Sequence, residues 1–179
     1  MMVALKWGAM MSQVEVVQYQ VLQYFAGEQV ESILFIIAGV SAVTASFFLF
    51  QMPGTYRGIT YPLVSIALVQ LIVGSTVYLR SDSQVAALTQ QLNSDPAAFW
   101  NSEISRMQTV MAWFRWYKII EILFLALGIL LTFVMSKQTA LFGSGIGLIM
   151  QASLVLILDL FAERRGEQYM AVLQSFFDG

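Results

Sequence analysis

Long apolar runs at residues 33–51, 61–79, 119–135 and 141–161 alternate with polar connections of very different length. A helix needs about 20 predominantly apolar residues to cross a hydrocarbon core about 30 Å thick, and each run approaches that length. The pattern predicts four membrane spans.

The connections predict how the spans are joined. Gln51–Thr60 holds Pro53 and Gly54, and Ser136–Gly145 holds Gly143 and Gly145, so both read as short turns. The middle connection, about residues 80–118, is polar yet keeps helical periodicity, and it breaks only at Asn93, Ser94, Asp95 and Pro96. Asp95 suits an N-cap, and Pro96 suits the first helical position, where no amide proton is needed. The second helix is therefore expected to run to about Leu92, and the third from Pro96 to about Met135. A helix of about 40 residues is about 60 Å long, twice the hydrocarbon thickness. The surplus predicts a cytoplasmic helical hairpin, and the fourth helix is expected to continue through Glu163–Phe177.

Before the first run, Val14–Phe25 (VEVVQYQVLQYF) intersperses Glu and Gln among apolar residues, which predicts an amphipathic helix lying along the cytoplasmic face. The stretch Met1–Met11 is short, carries Lys6 late and lacks a small-x-small site, so it does not read as a cleaved signal peptide. Four early methionines (Met1, Met2, Met10, Met11) leave the true start open.

Heptad-like stripes run through every predicted helix. On the third, Ile104, Met107, Met111, Phe114, Lys118, Glu121, Leu125, Gly128, Thr132 and Met135 recur at steps of three and four. On the fourth, Gly145, Leu148, Ala152, Val155, Asp159, Ala162, Gly166, Tyr169, Leu173 and Phe176 do the same. Glu28, Glu31, Phe35, Ala38, Ala42, Ala45 and Leu49 line the first, and Leu63, Ala67, Gln70, Gly74, Val77 and Ser81 the second. Such spacing suits left-handed antiparallel packing. Gly74, Gly128, Gly143, Gly145, Gly147 and Ala152 are the candidate packing residues, because small side chains let helices approach closely inside lipid. Gln70 and Gln151 are expected to bond between helices. The expected fold is an all-α integral membrane protein, one domain over 1–179. It is a four-transmembrane-helix bundle with helices 2, 3 and 4 extending into the cytoplasm and an N-terminal amphipathic helix.

Charge then sets the orientation. Lys6, Arg80, Arg106, Arg115, Lys118, Arg164 and Arg165 fall on one side of the spans, and Arg57 and Lys137 on the other. This 7:2 split of the 9 basic residues predicts a multi-pass inner-membrane protein with both termini cytoplasmic. At 58% hydrophobic and 11% charged residues, the chain is too apolar for an ordinary soluble domain. Its net charge of -2 gives no basic face for nucleic acid. Cysteine and histidine are absent, which excludes disulfides, thiolate nucleophiles, Cys/His zinc sites, axial-histidine haem and Ser-His-Asp triads. No cofactor is expected; carboxylate-bound magnesium or calcium remains open, since oxygen ligands suit those ions.

Ionisable residues cluster at one depth on the stripes: Glu31, Arg80, Lys118, Glu121, Asp159, Glu163, Arg164 and Arg165. Within a span such residues face a partner or a cavity. One reading is a structural network in which Glu31, Glu121 and Asp159 pair with Arg80, Lys118 and Arg164 or Arg165. Stripping a partner from such a pair costs about 3–5 kcal/mol. The other reading is a carboxylate site for a cation or proton. Asp159, Glu163 and Glu167 also recur at every fourth residue, a spacing similar to part of the acidic magnesium–diphosphate motifs of membrane prenyl-transfer enzymes, but no second such motif is present. The run Gly143-Ser-Gly-Ile-Gly147 follows no strand, so it points to close helix packing and not to a nucleotide loop. Trp113, Trp116, Tyr117 and Tyr78 read as an interfacial aromatic belt.

These features point to a non-enzymatic protein acting through protein contacts, with the lipid bilayer, a second copy or another membrane protein as partners. Phe99 and Trp100 near the hairpin tip are the expected docking anchors. Two other readings stay open: an oligomeric cation or proton channel using the acidic layer, and a magnesium-dependent enzyme on lipid phosphates using Asp159, Glu163 and Arg165.

Overall fold

The computed structural model describes the backbone of residues 2–177 and the side chains of residues 14–175. The side chains of Lys6 and Phe176 lie outside the described residues. Four helices account for nearly all of the chain: α1 (Met2–Phe50), α2 (Thr55–Ser94), α3 (Pro96–Val134) and α4 (Ala140–Phe177). Each is long and apolar enough to cross a membrane.

The turns form where the local chemistry demands them. At the hairpin end, Asp95 Oδ1 accepts from the Ala98 amide at 3.0 Å, while the Asp95 amide donates to Gln91 O at 2.9 Å. One residue thus closes α2 and opens α3, with Pro96 at the first position. At the opposite end, Gly54 adopts a positive φ of 65°, which a residue without Cβ takes readily. Thr139 Oγ1 accepts from the Phe142 amide at 3.2 Å and caps α4. Thr55 Oγ1 donates to Lys137 O, so the two turns at that end are tied together.

Pro62 lies inside α2 and has no amide proton, which leaves the Gly58 carbonyl without its helical donor. The Ser144 hydroxyl of α4 donates to that carbonyl at 3.0 Å. In lipid such a carbonyl cannot be satisfied by water, so a neighbouring helix must supply the donor.

The packing order is not the chain order. α1 lies along α2, α2 against α4, and α4 along α3, while α1 touches α4 and α2 touches α3 more lightly. α2 and α4 therefore make the central pair, flanked by α1 and α3. Inside the spans the contacts are made by small residues. A Cβ added to Gly74 would sit 2.8 Å from Ser32 O on α1, and one on Gly128 would sit 2.8 Å from Gly145 O. Gly58, Gly143 and Gly147 bring α2 and α4 backbone to backbone, and Ala152 is buried. Gln151 Nε2 donates to Gln70 Oε1 at 3.2 Å between the same two helices, the expected interhelical bond.

Towards the hairpin end the core changes character. Val17, Val21, Tyr24 and Phe25 of α1 are buried with Leu92, Phe99, Met107, Tyr169 and Leu173. Bulky apolar side chains replace glycine and alanine at the contacts there. Two expectations are corrected here. Val14–Phe25 is not a separate surface-lying helix but the unbroken continuation of α1, because residues 17, 21, 24 and 25 find a protein core to enter. Phe99, expected as an exposed anchor, is 0% exposed in that core, and Trp100 packs against it partly buried. α2 ends at Ser94, close to the expected Leu92, where the Asp95 amide closes its last turn.

Candidate functional site

The polar side chains that the stripes carry converge where the small-residue contacts give way to the bulky core. Glu31 of α1 accepts from Arg165 of α4 through both oxygens, at 2.6 and 2.7 Å. Such a two-pronged guanidinium–carboxylate pair fixes orientation as well as charge. Gly27 makes the room for it, since a Cβ there would lie 2.6 Å from Arg165 Cδ. Lys118 Nζ donates to Glu163 Oε1 at 2.8 Å between α3 and α4. Arg80 of α2 stands 3.5 Å from Glu28, and Gln29 Nε2 donates to Asp82 Oδ1 at 2.6 Å. Arg164 is exposed.

All four helices are thus cross-linked at one level, but not with the pairing expected from sequence. Arg80 goes to Glu28, not to Glu31. Lys118 is taken by Glu163, and Arg165 by Glu31, and among the described residues neither Glu121 nor Asp159 forms a salt bridge, although Lys118 lies near Glu121. The reason is stagger: on α4, Glu163 faces α3, whereas Arg165 faces α1. The Glu121 and Asp159 carboxyl groups are instead neighbours across the α3–α4 contact. Glu121 is 7% exposed, and its Oε2 has no donor.

Of the three residues considered for a phosphate, Glu163 is engaged by Lys118 and Arg165 by Glu31. Among the described residues no three acidic side chains gather as a metal site would require. At the end opposite the hairpin, α2 and α4 meet backbone to backbone at Gly58 and Ala140 and again at Gly143 and Thr55.

A second polar constellation lies deeper in the hairpin-end core, and sequence reasoning missed it. Glu103 is 1% exposed, yet it is fully engaged. Arg106 Nε and Nη2 donate to its two oxygens at 2.7 Å each, and the Tyr169 hydroxyl donates to Oε1 at 3.0 Å. The Arg106 guanidinium lies over the Tyr24 and Phe25 rings, 5.9 and 5.5 Å from their centroids. Tyr24 stacks on Tyr169 at 4.6 Å. Helices α1, α3 and α4 therefore meet around one ion pair, with the charge spread over aromatic faces. The signal for it was present: Phe99, Glu103 and Met107 recur at steps of four, and Glu103 and Arg106 are three apart, on neighbouring helical turns.

Chemically, the arrangement ties neighbouring helices to one another through paired charges. Each pair joins two different helices, apart from Glu103–Arg106, whose third member Tyr169 supplies the crossing. No family model matches the chain, and no curated protein or solved structure is similar to it.

Proposed function

We propose that this is a non-enzymatic, multi-pass inner-membrane protein that acts through protein contacts, as an accessory, scaffold or immunity-type partner. The carrying observation is the block beyond the charged girdle, packed around Phe25, Leu92, Phe99, Met107 and Leu173. On α2 and α3 that block turns uncharged polar residues outward, among them Ser83, Gln90, Asn101, Ser105 and Gln108. A rigid, hydrogen-bonding surface loses little conformational freedom on docking, which favours a specific partner. The excess of basic residues at this end supports a cytoplasmic position for it and for both termini. Phe99 plays no part in docking, since it holds the core.

Purification of the full chain in mild detergent tests the reading. The wild-type chain is expected to emerge with a partner, and Asn101→Arg with Gln108→Arg is expected to release it while helical content stays unchanged. A chain that always emerges alone, with neither partner nor self-association, removes the proposal.

A second reading rests on Glu121 and Asp159. Two neighbouring carboxyl groups, neither in a salt bridge among the described residues, could hold a proton or a cation between them. With only four helices in a copy and α2 packed against α4 between the other two, a conduction path would run between copies. Under this reading, Glu121→Gln and Asp159→Asn each reduce proton or cation uptake into liposomes. Uptake that persists unchanged in both variants dismisses the pair as a transport site.

A further inference from the structure

Between α1 and α4, where the girdle meets the hairpin-end core, lies an open groove of about 390 Å³. Its walls carry three primary amides, Gln20 and Gln23 from α1 and Gln168 from α4. The buried, stacked pair of Tyr24 and Tyr169 lines it from beneath, with Arg165. Arg165 offers little charge to the groove, since both terminal nitrogens are spent on Glu31.

The base left over beside the groove is Arg164. It is exposed, and among the described residues no hydrogen bond or ion pair engages it. Arg164 lies one helical turn before Gln168, so its side chain stands next to the amide wall. Glu167 lies one turn past Glu163, on the face of α4 that meets α3. Arg80, Arg106, Lys118 and Arg165 are each held by a carboxylate. Only Arg115, on α3, shares with Arg164 an exposed and unengaged guanidinium at this end, among the described residues.

On its membrane side the groove gives way to apolar surface. Val30, seven residues after Gln23, is 59% exposed, and Phe161, seven before Gln168, is 61% exposed. The contacts Tyr24–Tyr169 and Glu31–Arg165 show α1 and α4 running in opposite directions, so Val30 and Phe161 stand at one depth.

We propose that this groove seats the headgroup of an anionic phospholipid of the cytoplasmic leaflet. Arg164 takes the phosphate, the amides bond the hydroxyl-bearing part of the headgroup, and the acyl chains descend along Val30 and Phe161. Three features select this occupant. A guanidinium matches a phosphate with two parallel hydrogen bonds. Primary amides both donate and accept, as hydroxyl groups require. The order of cation and amides above, apolar surface below, is that of a lipid molecule, whereas a free anion would use the upper part alone. Anionic lipids of the cytoplasmic leaflet collect at basic pockets between helices. The proposal goes beyond the docking surface on α2 and α3 and beyond the Glu121–Asp159 pair, and it needs neither.

Native mass spectrometry of the full chain in mild detergent, supplied with phosphatidylglycerol or phosphatidylcholine, tests the seat. The wild-type chain is expected to retain one phosphatidylglycerol in about tenfold preference, roughly what one hydrogen bond to a charged group is worth. Arg164→Gln is expected to abolish the preference, and so is Gln23→Leu combined with Gln168→Leu, which removes no charge. Arg115→Gln loses the same charge on α3, away from the groove, and is expected to keep it. All these side chains are exposed, so the fold is kept. An equal loss in Arg115→Gln would reduce the effect to net charge and overturn the proposal. A wild-type chain that retains the two lipids equally overturns it as well, as does phosphatidylglycerol that inorganic phosphate displaces.

Discussion

Valine in place of Gly143 is expected to drive α2 and α4 apart and to lower the stability of the bundle by at least about 3 kcal/mol, the upper range for overpacking. A side chain there meets the Thr55 carbonyl and the Ile59 amide, which are backbone atoms that cannot swing aside. The displacement would also strip the Gly58 carbonyl of its Ser144 donor, at a site where Pro62 provides none. Gly166→Ala is the matching control. Its new Cβ would meet the Met111 sulfur at 3.0 Å, the end of a flexible side chain, while alanine improves helix propensity by about 1 kcal/mol. Unfolding in a graded denaturing-detergent mixture should therefore move far for Gly143→Val and little for Gly166→Ala. Equal losses in the two would show that backbone approach is not what holds α2 against α4.

Removal of the Arg106 guanidinium should be as damaging for a different reason. Arg106→Ala strands the Glu103 carboxylate in a core where it is 1% exposed, and an unpartnered charge in such a place costs about 3–5 kcal/mol. Tyr169→Phe, which takes away one neutral donor, should cost about 1–2 kcal/mol. Glu103→Leu combined with Arg106→Leu should recover most of the loss, because well-packed apolar residues often replace a buried ion pair without penalty. The double-mutant cycle is the measurement. A double variant as unstable as Arg106→Ala would mean that packing over Tyr24 and Phe25, not charge, gives the pair its value.

Much of the fold was legible in the chain. The stripe read on α3 points inward throughout: Met107, Glu121 and Gly128 are buried, and none of its other members is fully exposed. The α4 stripe behaves likewise up to Leu173. On α1 the reading slips once, since Ala45 is exposed and Ser46 takes the buried place. Periodicity of this kind is local, and a helix displays it without knowing its neighbour. The start of α3 was legible for the same reason, because a cap is made by residues within one turn.

The site was less legible. Depth in the membrane placed Glu31, Glu121, Lys118, Asp159 and Arg165 at one level, but depth says nothing of azimuth. Which base met which acid depended on the stagger of α4 between α1 and α3, and that sent Arg165 to Glu31 and Lys118 to Glu163. Glu103 was overlooked because an acidic residue in a polar stretch ordinarily faces water.

Amino-acid order alone determined the four helices, their turns and the side of each that turns inward, since spacing, capping and apolar length act over a few residues. Only the tertiary structure decided that α2 and α4 form the centre, that Val14–Phe25 joins the core instead of the surface, and that Glu121 neighbours Asp159. Those outcomes depend on backbone separations of a few ångströms between residues far apart in the chain. Any of several helix arrangements would have satisfied the same stripes.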